Sequence, residues 1–364
     1  MTDCPTGHNF RNPIRVLIVE DQSTVQQLLI HILSSDPHIR VVAVAKNGEE
    51  AIEAVSENRP DVITMDIHMP KLGGIEATRA IMSTHPTPIV IVSGSLNTEE
   101  RDVAFDAIQA GAISVMERPK GIGHSQFEKT AAELIQTVKL ISEIKVVRRW
   151  GADWMNSAKS PSPAINGHPR DIKIVAIGAS TGGPPVLKTI LSALPSDFPV
   201  PILVVQHMLG GFVEGFCEWL SKTCQLDVHI AKNGERLRPG HVYLAPDGYH
   251  LGVDSTGFIC LKQNPQKEGI CPSVSFLFRS VSAIFRQNSV GILLTGMGKD
   301  GAEELKEMKE KGAVTIVQNQ DTSAVFGMPG EAIKLGAANY VLPPDGIAEI
   351  LKYCVNQTKK SKMI

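Results

Sequence analysis

Residues 174–185 read Ile174-Val175-Ala176-Ile177-Gly178-Ala179-Ser180-Thr181-Gly182-Gly183-Pro184-Pro185. The β-branched start fits a strand buried on both faces of a parallel sheet. Gly178, Gly182 and Gly183 let the chain turn sharply out of that strand. Pro184 suits the first turn of a following helix, where a missing N–H costs nothing. Strand, glycine turn and helix make one unit of a doubly wound α/β fold. The unit sets Ser180 at the carboxyl edge of a sheet, where such folds hold their ligands. Three roles fit the serine there: a nucleophile beside free backbone N–H groups, a phosphate contact, or a cap for the next helix. A dinucleotide-binding turn is disfavoured. Ser180 replaces the glycine that admits the pyrophosphate, and Asp197 lies on a Pro-rich stretch rather than at a strand end.

The chain has 364 residues, enough for two domains with cores of their own. With 43% hydrophobic and 20% charged residues it has the composition of a soluble globular protein. The formal net charge of -2 gives no electrostatic reason to expect nucleic acid or an anionic membrane as partner. No apolar run reaches the roughly 18 residues of a membrane span, and Met1–Pro13 lacks a signal-peptide core. The six cysteines (Cys4, Cys217, Cys224, Cys260, Cys271, Cys354) form no CxxC pair, so neither zinc nor a redox dithiol is indicated. Reduced thiols and a cytoplasmic location are expected.

A first domain is expected over residues 13–147. Its strand-like runs Val16–Val19, Val41–Ala45, Val62–Met65, Ile89–Val92 and Ile113–Met116 alternate with helical patterns. Such alternation implies a five-stranded parallel sheet, because each crossover needs a helix. Phe127, Ala131, Leu134, Ile135, Val138, Ile141 and Ile144 fall on one face of its last helix. Residues 148–170 have linker composition, with Ser160-Pro161-Ser162-Pro163, Gly167 and Pro169; Trp150 and Trp154 could dock on a domain surface. A second domain over 171–358 repeats the alternation as a mostly parallel sheet flanked by helices. Its strands are expected at Ile174–Ile177, Ile202–Val205, Val242–Ala245, Gly291–Leu294, Val314–Val317 and Tyr340–Leu342.

Glu20 and Asp21 follow the first strand and Asp66 the third, ends that a doubly wound sheet makes neighbours. Three carboxylates gathered there would repel one another unless a divalent cation compensates them, and carboxylate oxygens are ligands that Mg²⁺ favours. Ser93 ends the fourth strand and a basic residue follows the fifth. With Met65-Asp66-Ile67-His68-Met69-Pro70, these features resemble a response-regulator receiver domain. The resemblance implies a Mg²⁺ pocket formed by Glu20, Asp21 and Asp66, phosphorylation on Asp66, and a switch hydroxyl on Ser93. Two positions depart from it. Arg118-Pro119 stands where receivers carry Lys-Pro, and Val115 takes the place of the switch aromatic. Arginine keeps the charge but is a planar fork, not a compact ammonium. Lys120 could substitute only through a shift of the loop. Weaker activation by phosphate analogues than in an Arg118→Lys variant is therefore expected.

In the second domain, Val204-Val205-Gln206-His207-Met208 brings a histidine past a buried run. Leu293-Leu294-Thr295-Gly296-Met297-Gly298-Lys299-Asp300-Gly301 brings an aspartate into a glycine turn. Separately, His207 could be a packed residue and Asp300 a cap for the helix starting at Ala302. Together with Ser180 they project from one sheet edge as nucleophile, base and carboxylate. The order Ser180…His207…Asp300 is not the Ser…Asp…His order of α/β-hydrolases, so that fold is disfavoured. The order, with Pro239-Gly240-His241-Val242-Tyr243-Leu244-Ala245-Pro246 and Phe326-Gly327-Met328-Pro329, resembles the receiver-linked chemotaxis protein-glutamate methylesterases. The resemblance implies hydrolysis of glutamate γ-methyl esters on chemoreceptor cytoplasmic helices, deamidation of certain glutamines, and a chemotaxis histidine kinase as phosphodonor. No cofactor is expected at the hydrolase site. The backbone N–H of Thr181 and one from the Met297 turn are the expected oxyanion donors. The unphosphorylated receiver is expected to restrain the active-site edge. A receptor-binding module without hydrolysis is the competing expectation.

Overall fold

The computed structural model describes residues 13–94, 98–144, 171–208, 210–263 and 269–361. Two compact units lie within residues 1–155 and 156–364. Trp150, Trp154 and the expected linker fall outside the described residues.

The first unit runs β1 (Ile14–Val19), α1 (Ser23–Ser34), β2 (Ile39–Ala45), α2 (Gly48–Asn58), β3 (Val62–Met65), α3 (Gly74–Thr84), β4 (Ile89–Ser93), α4 (Thr98–Ala110), β5 (Ser114–Glu117) and α5 (Phe127–Ser142). Its sheet is parallel in the order β2-β1-β3-β4-β5. The order reverses beside β1, which opens a crevice at the carboxyl ends of β1 and β3. Val19 pairs with Met65 there, so Glu20 and Asp66 leave the sheet side by side. Asn47 caps α2 by accepting from the N–H groups of Glu49 and Glu50. On α5 the buried stripe is Ala131, Leu134, Val138 and Ile141, as the helical spacing predicts.

The second unit continues with β6 (Ile174–Ala179), α6 (Gly183–Ser192), β7 (Ile202–Gln206), α7 (Val213–Ser221), β8 (Asp227–Ile230), β9 (His241–Leu244), β10 (Tyr249–Val253) and β11 (Ile259–Gln263). Next come α8 (Val274–Phe285), β12 (Ser289–Leu293), α9 (Ala302–Glu310), β13 (Val314–Gln318), α10 (Met328–Lys334), β14 (Tyr340–Leu342) and α11 (Pro344–Ser361). The seven-stranded sheet has the order β14-β13-β12-β6-β7-β9-β8 and is parallel throughout. The six strands read from sequence are all present. The seventh, β8, is an edge strand whose Asp227 and His229 interrupt any apolar run, so no hydrophobic signal marks it. Beside the sheet, β10 and β11 form a separate antiparallel hairpin that the sequence reading did not include.

The central strand β6 lies between β7 and β12, and these three carry the expected catalytic residues at their carboxyl ends. Helix α8 presses directly on β6: a Cβ at Gly178 would lie 2.2 Å from Val274 Cγ1. Gly178 is therefore needed for close packing. Gly178→Ala should displace the first turn of α8, costing about 1–3 kcal/mol by overpacking. Urea denaturation checks this, and an unchanged midpoint would show that the helix yields freely.

Candidate functional site

In the first unit, Glu20 and Asp66 are buried, at 1% and 5% exposure. With Asp21 they place one carboxylate oxygen each within 4.8 Å of the others. Burial and the neighbouring Asp66 push Glu20 up to about 7. Burial also raises Asp66, against the Ile67 N–H and the Arg118 charge. Asp21 Oδ1 is buried without a hydrogen-bond partner. An unpartnered carboxylate oxygen within a mutually repelling acidic set fits a hard divalent cation such as Mg²⁺. Arg118 reaches the pocket from its own position, with Nη2 3.0 Å from Glu20 Oε2 and 3.5 Å from Asp66 Oδ2. Its backbone N–H donates to Ser93 O at 2.7 Å, which ties the ends of β4 and β5 together. Lys120 pairs with Glu117 instead. Ser93 is buried at the end of β4, and Val115 sits opposite Ile91 on β5.

In the second unit, Ala179 pairs with Gln206, and the His207 N–H donates to Ala179 O at 2.8 Å. Ser180 and His207 thus leave neighbouring strands side by side. On the other flank, the Ser180 N–H donates to Thr295 O at 3.0 Å. His207 Nε2 lies 2.9 Å from Asp300 Oδ2, so Asp300 and the imidazole meet across the site. Among the described residues no hydrogen bond joins Ser180 Oγ to the ring. Catalytic hydrogen bonds often tighten only when substrate is bound. With Nε2 on the carboxylate, Nδ1 is the nitrogen left to act as base.

The capping readings fail. Gly182 with φ 77° is the N-cap of α6, and no side chain caps it. Gly301 holds the same position before α9, also without a side-chain cap. Asp300 instead sits at the start of α8. It accepts from Val274 N at 2.7 Å, Ser275 N at 2.9 Å and Ser273 Oγ at 3.0 Å. Burial alone would raise its pKa, but the hydrogen bonds from His207, Ser275 and Val274 outweigh burial and hold the carboxyl well below the usual range.

Sequence reading missed the residues that fix this geometry. Gln206 Nε2 donates to both Ser180 O and His207 O at 2.8 Å, tying the two turns together. Gly183 leaves space for that amide, since a Cβ there would lie 2.1 Å from Gln206 Oε1. Thr295 Oγ1 lies within bonding distance of Thr181 O and Val325 O, while Gln318 Oε1 accepts from Thr295 N at 2.8 Å. The Gly296 N–H donates to Val325 O, and the N–H groups of Gly327 and Met328 donate to Gly296 O. Among the described residues no acceptor meets the N–H of Thr181 or of Met297. These are the two backbone groups expected as oxyanion donors.

Residues 175–351 match the family model described as CheB methylesterase, and residues 16–125 that of the response regulator receiver domain. A relative from Nitrosospira multiformis is named protein-glutamate methylesterase/protein-glutamine glutaminase. It is 54% identical over 96% of this chain and 99% of its own length. The chain belongs to this family. A second relative with that name, from Syntrophus aciditrophicus, is 52% identical over 93% of this chain and 97% of its own. Among solved structures, the Thermotoga maritima CheB methylesterase catalytic domain is 40% identical, covering 50% of this chain and 97% of that one, with a TM-score of 0.48. Among the described residues no helix is long and apolar enough to cross a membrane.

Proposed function

We propose that this chain is a phosphorylation-regulated hydrolase that removes methyl groups from glutamate γ-methyl esters of chemoreceptors and deamidates receptor glutamines. The observation that carries the reading is the 2.9 Å contact of His207 Nε2 with Asp300 Oδ2, on a histidine that leaves the sheet next to Ser180. Ser180 Oγ attacks the ester carbonyl carbon as His207 Nδ1 takes the hydroxyl proton. The carbonyl oxygen becomes an oxyanion, received by the N–H groups of Thr181 and Met297. When the tetrahedral species collapses, His207 gives the proton to the departing methoxide and methanol leaves. With glutamine as substrate, the departing group is ammonia. A water molecule, deprotonated by His207, then attacks the acyl-serine; the glutamate carboxylate departs and Ser180 regains its proton. Throughout, Asp300 stays ionised and stabilises the imidazolium.

In the receiver, Asp66 is the proposed phosphoacceptor, and Glu20, Asp21 and Asp66 would hold Mg²⁺, which supplies neutralising charge to the transferred group. Arg118 and Ser93 contact its oxygens. The phosphodonor is a chemotaxis histidine kinase, and the reactions run in the cytoplasm. The test is methanol release from methylated receptor membranes with and without acetyl phosphate. Release that rises with the donor is expected, and no release under either condition refutes the reading. In Asp66→Asn the rate with donor should equal the rate without it; a retained response would move the phosphoacceptor elsewhere.

Arg118 offers a further check. Its guanidinium is engaged by Glu20 and must release that carboxylate when a cation binds. A lysine makes no planar fork, so Arg118→Lys should respond more strongly to beryllofluoride than the parent. Identical activation curves would make the two side chains equivalent.

A further inference from the structure

At the other end of the seven-stranded sheet, away from the carboxyl edge that carries Ser180, the strands β8 and β9 begin with Asp227 and His241 in register. His229, two residues along β8, shares that face. The ligand atoms of Asp227, His229 and His241 lie within 4.8 Å of one another. We infer that Asp227, His229 and His241 form a binding site for a divalent transition-metal ion of the zinc class.

Three observations support this. First, Glu235 Oε1 lies 3.1 Å from His229 Nε2, which engages that nitrogen and leaves Nδ1 facing Asp227. A carboxylate behind a ligating histidine is the usual outer support of a zinc ligand. Second, His229 Nδ1 lies 3.6 Å from Asp227 Oδ1, and His241 Nδ1 lies 3.3 Å from Asp227 Oδ2. The first is too long for a hydrogen bond. The second lacks the geometry for one, and His241 Nδ1 is buried with no hydrogen-bond partner among the described residues. Both separations are close to the about 3.4 Å between neighbouring ligands of a tetrahedral ion with bonds of about 2.0–2.1 Å. Third, the rings are held in place: His229 packs edge-on against Tyr243 at 4.7 Å, and His241 stacks on the same ring at 6.0 Å. Two imidazoles and one carboxylate suit zinc better than Mg²⁺, with water completing the coordination. Bound there, the ion joins the edge strand β8 to β9.

The test is equilibrium dialysis of the chelator-treated full chain against Zn²⁺ in excess Mg²⁺, which occupies the receiver's acidic pocket. One tight equivalent is expected, with a rise in Tm. It should be lost in His229→Ala and in His241→Ala, each weakening binding by more than the about 10–100-fold expected of Glu235→Gln. Co²⁺ in place of Zn²⁺ should give tetrahedral visible bands that vanish in both histidine variants. No tight equivalent in the parent, or one that survives both substitutions, overturns the site. If the histidine variants lose the parent's circular dichroism, Asp227→Ala at its exposed position decides: unchanged affinity overturns the proposal, and loss supports it.

Discussion

Ser180→Ala is expected to lower kcat for methanol release about a million-fold, the scale seen when the nucleophile of a serine triad is removed. The substitution should leave the fold intact. Ser180 is half-buried, its Oγ makes no hydrogen bond among the described residues, and its backbone bonds to Thr295 O and from Gly183 N survive the change. Unfolding free energies of parent and variant should therefore agree within about 0.5 kcal/mol, as for substitutions that break no native contact. Residual turnover would come from the Thr181 and Met297 donors alone. A variant within tenfold of the parent would remove Ser180 from the chemistry. A serine-directed phosphonate gives a second measure: it should label the parent and not the variant.

Asp300→Asn should cost about 10⁴ in kcat, because an amide cannot hold the imidazole in its productive tautomer. Both carboxylate oxygens are engaged: Oδ2 by His207 Nε2 and Val274 N, Oδ1 by Ser273 Oγ and Ser275 N. An asparagine NH₂ must face one of these donor pairs. Turned toward His207, it forces the ring proton onto Nδ1 and removes the base. Turned the other way, it leaves the N–H of Ser275 unpaired at the start of α8. Stability should fall as well, by about 1–3 kcal/mol for a buried donor left unsatisfied. The pH dependence follows from the lowered pKa of Asp300. A depressed native value gives stability that is fully present above the unfolded value of about 4 and is lost as pH falls through the native one. The gap between parent and variant in urea melts should thus stay constant from pH 7 to about 5 and shrink only below about 4. A gap that widens on acidification would contradict the assignment.

Gln206 should have a smaller effect. Its amide ties the backbone of Ser180 to that of His207, so Gln206→Leu should lower kcat with little change in KM. A change confined to KM would place Gln206 in substrate binding instead.

Much of this was legible in the chain. Ile174–Ile177 and Ile202–Val205 are apolar because both faces of a central parallel strand are covered, and that physical demand is visible without coordinates. Edge strands escape it: β8 reads Asp227-Val228-His229-Ile230, with polar residues alternating on an open side, and it went unrecognised. The residues at strand ends were equally readable, because a doubly wound sheet collects its carboxyl ends on one side. Their supports were not. Ser273 and Val274 lie 27 and 26 residues before Asp300, and no periodicity links them to it. Taken by itself, Asp300 fits a cap for the helix after it as well as a triad carboxylate, and the structure sets it at the start of the helix before it. Arg118 reads as a planar fork in place of a compact ammonium at the expected phosphate contact, and its reach to Glu20 and Asp66 is visible only in the tertiary structure.

Taken alone, the sequence determined two α/β units and set Glu20, Asp21 and Asp66 in one, and Ser180, His207 and Asp300 in the other, at or just past strand ends. Local pattern and chain order are enough for these, since strand ends inherit their neighbours from topology. Only the tertiary structure decided which imidazole nitrogen meets Asp300, that Gln206 ties the turns of Ser180 and His207 together, and that Asp227, His229 and His241 converge at the opposite end of the sheet. Those outcomes depend on directional contacts between segments far apart in the chain, and hydrophobic periodicity carries no record of direction.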